Sequence, residues 1–165
     1  MASRIYLILF VVLYIACDKQ IRTDTTNSVD TDLSAIKIIQ GNYVKNWLDG
    51  NREGVLNLFT SDARIQPNSL CPIDSLNKIR NFWFPDDGSK TTIDHFEIKN
   101  LATRVEGDTA YATGICFLEW TYVKDTIKFR VHQKGVETTV YVRQKDLTWK
   151  IWRQIWTDLF SNRMM

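Results

Sequence analysis

The hydrophobic pattern of this 165-residue chain changes period once, at Gly88, and that change constrains the fold more than any other feature. Upstream, Leu33, Ile36, Gln40, Tyr43 and Trp47 fall on one helical face, with Ile39 and Val44 beside them. Asp30 or Asp32 can cap this first helix, and Asp49-Gly50-Asn51 ends it. A second short helix, Arg52 to Phe59, turns Val55, Leu58 and Phe59 inward. After an extended Arg64-Ile65-Gln66, Pro67 and Pro72 bracket a loop, and Leu76, Ile79, Phe82 and Trp83 mark a third helix stopped at Pro85. Downstream of Gly88 the apolar residues alternate. Strands are expected at Thr91–Val105 (bulged near Asn100), Thr109–Val123, Thr126–Gln133, Val136–Gln144 and Trp149–Asp158. The turns fall at Glu106-Gly107-Asp108, Lys124-Asp125, Lys134-Gly135 and Asp146-Leu147. Helices first and strands after predict an α+β fold: three N-terminal helices packed on a strongly curved antiparallel sheet, enclosing a cone-shaped interior.

The first 16 residues, MASRIYLILFVVLYIA, carry one basic residue, Arg4, and an apolar run from Ile5 to Ala16. Such a run is too short for a hydrocarbon core, which needs roughly 20 residues. It reads as a signal peptide over residues 1–16. Cys17 directly after Ala16 points to a lipoprotein signal, with Cys17 acylated as the mature N-terminus; Tyr14 departs from the Leu usual in such signals. Residues 17–32 offer little to bury and are expected to form a flexible tether. The expected location is therefore the bacterial cell envelope, lipid-anchored to a membrane.

The remainder suits one globular domain, expected over residues 33–160. Removing residues 1–16 takes away Arg4 alone and leaves 20 basic against 19 acidic side chains, without a Lys/Arg cluster, which argues against a nucleic-acid partner. Cys71 and Cys116 are open to pairing in an exported protein or to standing as separate thiols. Neither histidine, His95 or His132, has companions at ligand spacing, and no P-loop, G-x-S-x-G or H-E-x-x-H is present, so no metal or cofactor is expected.

The stretch YVKNWLDGNREGVLNLFTSDARIQP, from Tyr43 to Pro67, and the closing Trp149-Lys150-Ile151-Trp152 resemble SnoaL-like domains of the nuclear transport factor two-like, or ketosteroid-isomerase-like, superfamily. The resemblance runs from about Leu33 to Asp158. It implies a cystatin-like cone with a pocket between helices and sheet. It also places Tyr43 where the isomerases keep an oxyanion-binding tyrosine. Their carboxylate base, however, stands before a proline, and here that residue is Gln66. An amide accepts no α-proton at neutral pH, so the same isomerisation is not expected. Asp62 matches an acidic turn position of the family and reads as a brace.

The pocket is expected to be lined by Tyr43, Trp47, Phe59, Trp83, Glu119 and Arg153. Glu119 shares a strand face with Ile115, Phe117 and Thr121, and Arg153 alternates with Trp149, Ile151 and Ile155, so the two are candidates for an ion pair inside the cone. Trp152 and Trp156 fall on the opposite face of the last strand, an expected homodimer surface. The leading expectation is an envelope lipoprotein binding a small, mostly apolar ligand without catalysis. One alternative is an enzyme using Tyr43 with Glu119 or His95 for proton transfer or hydrolysis. The other is a protein-interaction module acting through the outer sheet face.

Overall fold

The computed structural model describes residues 28–164, so the leader, Cys17 and most of the tether lie outside the described residues. The chain divides after Ser34 into two compact units. Of the first, residues 28–34 are described and are helical, with the Ser34 hydroxyl donating to the Asp30 carbonyl at 2.9 Å. Residues 28–32 are thus helix rather than tether, and Asp30 and Asp32 lie inside it. Acidic side chains that cannot build a core still suit the N-terminal turns of a helix.

The second unit begins with the helical residues 35–48 (α1). It continues through α2 (Arg52–Leu56), β1 (Phe59–Gln66), β2 (Ile73–Asp74) and α3 (Leu76–Trp83). Four long strands follow: β3 (Lys90–Glu106), β4 (Thr109–Lys124), β5 (Ile127–Arg143) and β6 (Trp149–Met164). The sheet order is β2-β1-β6-β5-β4-β3, antiparallel from β3 to β6, with β1 joined parallel to β6. Asn51 caps α2 by accepting from the Gly54 amide at 3.0 Å. The helix stops at Leu56, before the expected Phe59, because Phe59 already pairs with Ile151 as the first residue of β1.

No turn forms at Lys134-Gly135. Instead β5 runs through it as one strand of 17 residues. Gly135 is there for another reason: a Cβ at this position would lie 2.9 Å from the Thr157 carbonyl and 3.1 Å from Cys116 Sγ, so only glycine lets β6 approach.

Four extra residues break the alternation of the long strands. Registers skip Asp94 and Leu101 on β3, and Trp152 and Leu159 on β6. The expected bulge near Asn100 is the one at Leu101. Each extra residue moves everything beyond it to the other face of the sheet. The inner face therefore carries Phe96, Ile98, Cys116, Leu118, Trp120, Gln133, Glu137, Gln154 and Trp156.

The core fills the end of the sheet where Ala110, Tyr141 and Ile151 share one row. Ile36, Val55, Leu56, Phe59, Ala63, Ile65, Ile79 and Trp149 pack there, all buried. Burying a side chain of this size contributes about 1.5–3 kcal/mol.

Candidate functional site

Toward the other end of the strands the inner face does not close. A cavity of about 470 Å³ lies between the sheet, α1, α3 and the loop after β1. Its walls are mainly aromatic and aliphatic: Tyr43 and Trp47 from α1, Phe82 and Trp83 from α3, then Ile93, Phe96, Leu118, Trp120, Tyr122 and Trp156 from the sheet. The 3–4 spacing along α1 puts Tyr43 and Trp47 one turn apart on the same face, with ring centroids 6.3 Å apart and edge-on. Tyr43 also meets Phe96 at 5.8 Å and Phe59 at 6.0 Å, while Trp83 meets Trp47 at 5.3 Å. These edge-to-face contacts lock the floor of the cavity.

Three polar groupings punctuate this wall. The Tyr43 hydroxyl donates to Gln154 Oε1 at 3.2 Å. A chain of side chains runs along one side: Trp120 Nε1 donates to Gln133 Oε1 at 2.5 Å, Gln133 Nε2 to Asp158 Oδ2 at 3.0 Å, and Asn68 Nδ2 to the same oxygen at 3.3 Å. Glu137 stands apart. It is 8 % exposed, lines the cavity, and accepts no hydrogen bond among the described residues. Burial alone pushes its carboxyl up to about 7. Burial and then the Glu137 charge raise the Tyr43 phenol above its ordinary range and bring the Cys116 thiol up to about 11. Tyr141, under the cavity floor, is raised by the same two causes in the same order.

The structure brings Tyr43, Trp47 and Trp83 together at the cavity, with Phe59 behind them in the core. It does not bring Glu119, Arg153 or His95 there. Glu119 does share its face with Ile115 and Phe117, but that face is the outer one, where it meets His132 Nδ1 at 3.5 Å and pairs in register with His95. The extra residue Asp94 separates His95 from Ile93 and sends it outward with Glu97. The extra residue Trp152 does the same to Arg153, whose guanidinium stacks 3.8 Å from the Trp152 ring and donates to the Asp62 carbonyl at 3.0 Å. No Glu119–Arg153 pair exists. The Trp152 indole donates to Asp62 Oδ2 at 3.1 Å, so Asp62 ties β1 to the bulge. Gln66 is turned away from the cavity, donating its amide to the Leu70 carbonyl and bracing the loop. Trp156 faces the cavity instead of the outer surface, where Val136, Ile155 and Tyr111 are among the exposed apolar side chains.

Cys71 and Cys116 are both free, Cys71 exposed and Cys116 in the cavity wall. Among the described residues no group of three or more His, Cys, Asp or Glu side chains could hold a metal ion.

Glu137, Gln154 and Asp158 were not evident from the sequence. The expected turn at Lys134-Gly135 cut β5 and hid the alternation Gln133, Gly135, Glu137, Thr139, Tyr141, in which a lone carboxylate on an inward face is the recoverable signal.

No protein-family model matches the sequence, and no curated protein matches it. Solved structures do. A ketosteroid isomerase-like protein from Erwinia carotovora atroseptica superposes with a TM-score of 0.65 at 12% identity, covering 78% of this chain and 97% of that one. An NTF2-like protein from Cytophaga hutchinsonii gives 0.62 at 14%, covering 76% and 97%. The hexachlorocyclohexane dehydrochlorinase LinA-type3 from Novosphingobium barchaimii gives 0.60 at 12%, covering 81% and 90%. At these identities the likeness concerns architecture, and it agrees with the strand order and the helix-covered curved sheet: the chain has the nuclear transport factor two-like, cystatin-like α+β fold.

Proposed function

We propose that this protein is an exported, lipid-anchored binding protein whose cavity holds a small, mostly apolar ligand without turning it over. The observation that carries the reading is the cavity itself: about 470 Å³, walled by aromatic rings, with a few convergent polar groups. That is the usual composition of a small-molecule site. Six tryptophans, four of them lining the cavity, make intrinsic fluorescence the direct assay. Titration with an apolar dye should quench it saturably, and Trp83→Ala should weaken binding at least tenfold. A dye that neither quenches nor is displaced would sink the reading. The anchor is tested separately: labelled palmitate should enter the full chain expressed in a bacterium, and Cys17→Ser should abolish the label.

A proton-transfer enzyme is the second reading, and Glu137 is the observation in its favour. Its carboxyl, pushed up to about 7 in the same cavity as the Tyr43 phenol, would accept a proton near neutrality. It supplies the base that Gln66 cannot, and neither Glu119 nor His95 reaches the cavity. Deuterium uptake into cyclic ketones in D2O, abolished by Glu137→Gln, would establish it; no uptake across such a panel would leave binding alone.

A further inference from the structure

We propose, on the basis of the ligand-binding reading above, that the cavity takes an organic cation: a compact apolar or aromatic skeleton bearing one ammonium group seated against Glu137.

The charge of the lining is one-sided. Among the described residues the cavity wall contains two carboxyls, Glu137 and Asp158, and no lysine, arginine or histidine. An anionic ligand would meet two like charges and no counter-ion. The carboxyls also differ in what they still need. Asp158 already accepts from Gln133 and Asn68, and so is held as part of the wall. Glu137 accepts from nothing among the described residues, though more than nine-tenths of it is buried. A buried carboxylate without a donor is costly, and a partner that brings both a hydrogen-bond donor and a positive charge offsets that cost best.

The remaining walls suit the same ligand. Trp47, Trp83, Trp120, Trp156, Tyr122 and Phe96 present rings to a space within the range that encloses a drug-sized molecule. Ring faces carry negative quadrupole density and attract ammonium groups within about 6 Å, with tryptophan the strongest. A neutral apolar ligand would satisfy the rings but leave Glu137 as it is. An ammonium satisfies both, and it would draw the raised Glu137 carboxyl back toward its ordinary range.

The test is a charge series of near-constant shape at pH 8, read by tryptophan fluorescence: phenethylammonium, whose N–H groups can donate to Glu137, its neutral carbon isostere propylbenzene, and phenylacetate. The cation should bind at least tenfold more tightly than the neutral isostere, and phenylacetate should not bind. Glu137→Gln, close in shape to the wild type, should bring cation and isostere to within about twofold of each other. If the isostere binds as tightly as the cation, or phenylacetate binds better, the cation proposal falls and the apolar-ligand reading survives. If Glu137→Gln keeps the full preference, Glu137 is not the counter-ion and the proposal falls. If neither cation nor isostere binds, the ligand-binding reading falls with it. The wild-type comparison stands even if the variant is unstable.

Discussion

The Tyr43 hydroxyl donates to Gln154 Oε1 across 3.2 Å, joining α1 to β6 at the base of the cavity. Gln154 can receive it only because β6 carries one residue more than β5 at Trp152, which turns Gln154 inward. Tyr43→Phe would leave the Gln154 oxygen without its buried donor, at a cost of about 1–2 kcal/mol. In urea unfolding the single variants Tyr43→Phe and Gln154→Leu should each be destabilised. The double variant should lose less than their sum, because the pair fails together.

Glu137 makes stability depend on pH in a definite direction. Its carboxyl is raised from the ordinary 4.5 to about 7 by burial, so the native state holds the proton more tightly than the unfolded chain. The stability it contributes should be full below about pH 4.5, fall as the pH rises toward 7, and stay reduced above it. The full loss is on the order of 3 kcal/mol. The groups facing it, Tyr43, Tyr141 and Cys116, stay neutral through this range, and Asp158 is the other carboxyl of the wall. Glu137→Gln should therefore raise the Tm at pH 8 and change it little at pH 4. Equal shifts at both values would contradict the assignment.

Gly135 sits where β6 leaves no room for a side chain on β5. A methyl there would lie 2.9 Å from the Thr157 carbonyl, which is backbone and cannot swing aside. Gly135→Ala should cost about 1–3 kcal/mol by overpacking, despite the better strand propensity of alanine. Thermal unfolding measures it, and an unchanged Tm would show that β6 yields at the bulge.

Cys116 reports on the cavity. Its thiol, raised to about 11 by burial and by Glu137, should be alkylated about a hundredfold more slowly at pH 8 than a thiol at the ordinary 9.0. Exposed Cys71 should label first. Peptide mass spectrometry with and without a bound apolar ligand should show further protection at Cys116 and none at Cys71.

The expected homodimer surface lies on the outer face of the sheet, where Ile155 is 47% exposed and Val136 36% exposed, and we propose these side chains as its test. Ile155→Asp should convert a dimer to a monomer in sedimentation, whereas Trp156→Ala should leave assembly alone and weaken ligand binding.

The architecture was legible in residues that act locally. Leu33 to Trp47 show the helical period, and Gly107, with φ of 59°, marks the reversal between β3 and β4. Val55, Phe59, Trp149 and Ile151 identify themselves as core by type and spacing. Tyr43, Trp47 and Trp83 could be placed at a cavity because a helix keeps its phase from end to end. Strands do not. Asp94, Trp152 and Leu159 are ordinary strand residues that become bulges only when a neighbouring strand has one residue fewer opposite them. That count belongs to the pairing, not to either segment.

The amino-acid sequence by itself determined that helices come first and long strands after, and that the two halves must cover one another, but not the ends of every element or the unbroken run of β5 through Lys134-Gly135. The pairing of strands decided which face each side chain takes beyond a bulge. The extra residues Asp94 and Trp152 put His95 and Arg153 outside and brought Gln154 and Trp156 within, while the unbroken pairing of β4 with β5 set Glu119 outside and Glu137 inside. With a side-chain period of two, one unpaired residue is enough to exchange the two faces of a sheet.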